Sequence, residues 1–120
     1  MNSNIDEVAK IFRDLTRKTR DENLFDFGKY NELMFKLVNL NNQSGVDSSG
    51  IDNIKTFSFK VVFDIQLEIL NHWTPHDSFF IENLNPENSY ELIQALKTFI
   101  NFVIKEGGAQ PDLSTILVSQ

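Results

Sequence analysis

The chain has 120 residues, 41% of them hydrophobic and 12% aromatic, with a net charge of −6, two histidines and no cysteine. One domain takes roughly 100 to 200 residues, so 1–120 reads as a single domain that buries enough surface to fold without staples. The lack of cysteine excludes a disulfide framework, thiol catalysis and cysteine-ligated zinc or iron–sulfur sites, and it fits a reducing, cytoplasmic setting.

Residues 1–12 carry Asp6 and Glu7 and lack an apolar stretch of signal-peptide length, which argues against secretion by that route. The longest uninterrupted aliphatic or aromatic runs are three residues, among them Val61-Val62-Phe63 and Phe79-Phe80-Ile81, so no membrane span is expected. Eleven phenylalanines stand against two tyrosines and one tryptophan. Phenylalanine offers apolar area alone, which implies an aromatic core or an apolar docking surface. Thirteen asparagines are also present, a count that genome base composition explains as readily as physics.

In chain order, the first predicted element is a helix over 4–19, with Ser3 as cap and Ile5, Val8, Phe12 and Leu15 on one stripe. Lys10, Arg13, Arg17 and Arg20 align on its exposed face, so that residues 1–20 hold five cations against three acids, or +2. The other hundred residues hold six against fourteen, or −8, a balance that repels nucleic acid over most of the surface. A second helix over 26–41, capped by Asp26, has Phe27, Tyr30, Met34, Leu37 and Val38 as its stripe. Phe35 falls on its polar side with Asn31, Glu32 and Asn39, where an aromatic anchors a partner or is covered by a neighbouring element.

After a loop over 42–53 the period changes. Phe57, Phe59, Val61, Phe63, Ile65, Leu67 and Ile69 take every odd position, with Ser58, Lys60, Asp64, Gln66 and Glu68 among the even ones. Alternation predicts one long strand over 56–70, spanning about 43 Å over 57–69 and bent near Val61-Val62. Residues 77–84 are its hairpin partner after a Thr74–Asp77 turn, and 113–118 a possible third strand. A last helix over 86–106 is capped by Asn85, opened by Pro86 and stopped by Gly107-Gly108, with Leu92, Ile93, Leu96, Phe99, Ile100 and Val103 on its buried face. The expected fold is therefore α+β: a small antiparallel sheet packed by three helices.

Two groups of residues bear on function. His72 and His76 flank Trp73-Thr74-Pro75, and a spacing of four suits zinc ligation on a helix or an acid–base pair. Pro75 opposes a helix there and no third ligand is near in sequence, so the ordinary reading is a hairpin tip with no metal or other cofactor. Asp64 and Glu68 share the even face of the long strand, with Asp77 and Glu82 near it in the hairpin. Such an acidic face attracts a basic protein, although acids on an outer face also serve as plain solvation.

Motifs for phosphate loops, nucleophile elbows, dinucleotide glycines, zinc helices and calcium loops are missing. In size and charge the chain resembles the bacterial immunity proteins, small acidic proteins that neutralise nuclease toxins. That likeness implies a non-enzymatic inhibitor whose carboxylates stand where substrate phosphates would lie, with Phe35, Asp64, Glu68, Asp77 and Glu82 as partner-binding residues. The alternatives are a homo-oligomeric structural or adaptor protein whose long 56–70 strand pairs with its counterpart in a homodimer, and an enzyme or metal protein centred on His72 and His76.

Overall fold

In the computed structural model, which describes residues 3–43, 45–74, 80–105 and 111–119, the chain folds as four helices. They are α1 (Ser3–Glu22), α2 (Phe27–Asn41), α3 (Ser48–Trp73) and α4 (Pro86–Ile104), followed by one 3-10 turn, Leu113–Thr115. No strand occurs among the described residues, so the expected α+β sheet is replaced by an all-helical fold.

Local chemistry accounts for three helices. Val8, Ile11, Phe12, Leu15 and Thr19 form the buried stripe of α1 at helical spacing, and Asn23 ends the helix at φ 57, a left-handed position that asparagine tolerates well. Asp26 caps α2 by accepting from the Lys29 amide at 2.9 Å. Asn85 and Asn88 cap α4 reciprocally, each side chain bonded to the other's backbone amide, with Pro86 in the first turn. The expected α4 stripe is buried at Leu92, Leu96, Phe99 and Val103 and partly so at Ile100, but Ile93 lies exposed. Gly107 and Gly108 fall outside the described residues.

The 56–70 segment is the interior of α3, not a strand. A residue pair two apart lies about 200° around a helix, so strict alternation divides into two ladders at spacing four on nearly opposite sides. Phe57, Val61, Ile65 and Ile69 form the first ladder, and the last three are buried. Phe59, Phe63 and Leu67, with Leu70, form the second and face outward. Even positions Ser58, Val62 and Glu68 complete the inner face, which a strand would have turned to solvent. Backbone pairing favours this outcome: a helix satisfies its amides internally, whereas a strand of thirteen residues needs an equally long partner, and no strand occurs among the described residues.

The other two expected strands are also corrected. Of 77–84, residues 77–79 lie outside the described residues, and Phe80–Leu84 is a turn that docks by side-chain clamps. Asn83 pairs with the backbone of Phe25, accepting from its N–H at 2.8 Å and donating to its C=O at 2.7 Å. The 113–118 segment is the 3-10 turn and an extended tail. Asn31 holds that tail in the same way, donating to the Val118 carbonyl at 2.8 Å and accepting from its amide at 2.9 Å. Asparagine thus has a structural use here, closing loops that contribute no ladder of their own.

Helices α1 and α2 pack as an antiparallel hairpin bridged by Lys36 and Glu7 at 3.4 Å, and α3 packs on both and on α4. Trp73 at the end of α3 donates to Ser89 Oγ near the start of α4 at 3.1 Å, so these two also run antiparallel. All four helices feed one continuous core with Tyr30, Phe25 and Phe99 among its largest members, and Ile116 and Val118 of the tail close it.

Candidate functional site

The outer face of α3 carries a run of large apolar side chains that core packing does not use. Asp47 starts the helix, accepting from the Gly50 amide at 2.8 Å, and Val46 packs so close that a Cβ on Gly50 would lie 2.5 Å from its Cγ1. From there the helix runs 26 residues, about 39 Å at ~1.5 Å per residue. On the side away from the core, Phe59 and Leu67 are each 39% exposed, and Phe63 and Leu70 each 60%. Trp73 and Phe80 extend the apolar surface at the C-terminal end of the helix, joined through the His72 ring, which lies 4.7 Å from Trp73 and 5.5 Å from Phe80. A helix apolar on two faces is usually buried between layers, yet here the second layer is solvent.

The charges beside this stripe are balanced. Asp52 and Asp64 oppose Lys55 and Lys60, and Lys60 meets Asp64 at 2.9 Å. Glu68 is the remaining acid of the helix and points into the core, 7% exposed, with neither carboxylate oxygen hydrogen-bonded. Burial pushes its pKa up to about 7; Arg20, 3.7 Å away, opposes the shift and Asp64 adds to it.

The residues expected to bind a basic partner are not gathered on one face. Asp64 flanks α3 within an ion pair, Glu68 is buried, and Glu82 sits exposed on the turn before α4, its amide bonded to the Asn23 carbonyl at 2.7 Å. Asp77 lies outside the described residues. Phe35 is 45% exposed on α2, away from the acids. On α1 the cations are partly occupied: Asp14 takes Lys10 at 2.9 Å and Arg17 at 4.0 Å, and the Lys10 hydrogen bond holds the Asp14 carboxyl below its usual range.

His72 is a structural clamp. Its Nδ1 accepts from the Ile81 amide at 2.9 Å, which fixes this nitrogen as unprotonated and ties α3 to the turn before α4. His76 falls outside the described residues, and among the described residues no group of three potential ligands is placed to hold a metal ion. A shallow cleft between α1 and α2, lined by Glu7, Val8, Lys36, Asn39, Leu40 and Gln43, is crossed by the Lys36–Glu7 pair. No helix among the described residues is long and apolar enough to cross a membrane.

The α3 stripe was present in the sequence as the very residues assigned to a sheet core. What would have found it is the spacing of four within the alternating run, which implies two faces once the run is helical. Compared with known families, curated proteins and solved structures, the chain matches no family model, no curated protein and no solved structure.

Proposed function

We propose that this chain is a protein-binding helical module that engages its partner through the outer face of α3. The observation that carries this reading is the contiguous exposure of Phe59, Phe63, Leu67 and Leu70 on the side of the helix opposite its core face. Half-exposed aromatic and aliphatic side chains gathered on one helix face bury large apolar areas on docking, and contiguous exposed apolar patches mark interaction sites. The inhibitor reading needs acids gathered on one surface; with Asp64 paired and Glu68 buried, it keeps the net charge of −6 as its support.

A comparison of interaction partners tests the proposal. Phe63→Glu and Leu70→Glu place charges on the stripe without touching the core, so each is expected to weaken partner binding at least tenfold while the helical circular dichroism stays unchanged. Phe35→Glu, on α2, is the matched substitution and leaves binding intact. Binding that survives both α3 substitutions, or that Phe35→Glu abolishes instead, contradicts the assignment.

A further inference from the structure

Resting on the reading that the outer face of α3 is a docking surface, we propose that its occupant is a second copy of this chain, packed antiparallel along α3 about a two-fold axis near Asp64 and Ile65. Thr56, Phe59, Phe63, Gln66, Leu70 and Trp73 recur at spacings of three, four, three, four and three. That is the 3.5-residue repeat with which one helix seats along another. The inner face of α3 is already spent on its own core; of this repeat Phe59, Phe63, Gln66 and Leu70 stay exposed outside it, while Trp73 at its end also donates to Ser89 of the same chain.

The area is sufficient. A phenylalanine or tryptophan buries 150–250 Å², so Phe59, Phe63, Leu67, Leu70 and Trp73 at their observed exposures present roughly 500 Å² of apolar surface. Full burial of that surface in an interface about 65% apolar gives an upper bound of about 800 Å² per copy, which reaches the size of a stable interface.

Charge does not oppose the pairing. Each chain carries −6, yet the stripe is flanked by Lys55 and Lys60 against Asp52 and Asp64, so the two copies meet where each is locally neutral. Charges beyond the stripe are screened over a Debye length of about 8 Å at physiological salt.

The antiparallel sense follows from size and charge. It sets Trp73 of one copy against Thr56 of the other, Phe59 against Leu70 and Phe63 against Gln66, so large side chains face smaller ones. A parallel pair would oppose like with like, including Asp52 with Asp52, and would align the two helix dipoles unfavourably.

The absence of cysteine makes the register directly readable. In the double variant Phe59→Cys/Leu70→Cys the two thiols of one chain are about 16 Å apart along the helix, too far to join, so any disulfide links two chains. Mild oxidation is expected to convert most of this variant to covalent dimer, and to leave Phe35→Cys, an exposed position outside the stripe, largely without an interchain disulfide. Without cysteines, light scattering is expected to give twice 13.8 kDa for the natural chain and 13.8 kDa for Phe63→Glu, with unchanged helical circular dichroism.

Linkage of Phe59→Cys alone as efficient as that of the double variant overturns the antiparallel pairing, because a parallel pair sets each position against itself. A monomer mass for the natural chain across micromolar concentrations overturns self-association and leaves the docking surface itself to be judged by the partner comparison. A dimer that resists Phe63→Glu and is lost in Phe35→Glu overturns both.

Discussion

Glu68 enters the core from α3 with both carboxylate oxygens unsatisfied, and the nearest cation, Arg20, reaches it from an exposed position at 3.7 Å. A charge in that place costs several kcal/mol of desolvation that one exposed guanidinium at 3.7 Å does not offset, so the neutral form is favoured. Its folded pKa stands near 7 against 4.5 for a free glutamate. Below pH 4.5 both folded and unfolded chains hold the proton and no penalty arises. Between 4.5 and 7 only the folded chain keeps it, so this group's contribution to stability falls as pH rises, and above 7 the full cost is present. Glu68→Gln imitates the protonated form. Urea unfolding is expected to show it equal to the natural chain near pH 4.5 and more stable by about 2 to 3 kcal/mol at pH 8. Equal stability at both pH values would show that water or Arg20 already compensates the charge.

At the scale of elements, α3 shows how one pattern serves two periods. A strand would place Lys60 and Val62 on the same solvent face; the helix exposes the first and buries the second. Val62→Ala is therefore expected to cost about 2 kcal/mol of stability by leaving a cavity, and Lys60→Ala less than about 0.5 kcal/mol by removing a surface ion pair, both measured by urea denaturation. The strand reading predicts equal, small effects. Helices α1, α2 and α4 were legible because each carries a single apolar stripe, and Asp26, Asn85 and Pro86 lie at helix starts that local chemistry defines. For α3 the local signals were discordant. Its cap, Asp47, lies inside a loop-like Gly and Ser stretch, and its β-branched and aromatic content resembles a strand.

For the whole molecule, the connections are held by side chains acting in place of a sheet. Asn31 fixes the tail at Val118, and Tyr30 donates its hydroxyl to the Ile116 carbonyl at 3.2 Å, sealing the core with residues 86 and 87 positions away in sequence. Asn31→Ala removes two hydrogen bonds at once and leaves the Val118 groups to water. The expected loss is about 1 to 2 kcal/mol in thermal or urea unfolding. If two copies pair through α3, the natural chain's thermal midpoint rises with its own concentration, and Phe63→Glu removes that dependence. A midpoint independent of concentration in both proteins argues against coupling between folding and self-association.

Length, charge, the caps at Asp26 and Asn85 and the stripes of α1, α2 and α4 follow from interactions within a few residues, and these the chain's order of amino acids settles on its own. The fate of the 56–70 segment, the clamps at Asn31 and Asn83, the burial of Glu68 and the exposure of the Phe59–Leu70 stripe depend on what stands opposite each side chain. Alternation at period two is compatible with one face of a strand or two faces of a helix, and the choice falls to the partners available. With no second strand to satisfy its backbone, the segment coils, sends one ladder into the core and leaves the other outside, which is where the proposed docking surface comes from.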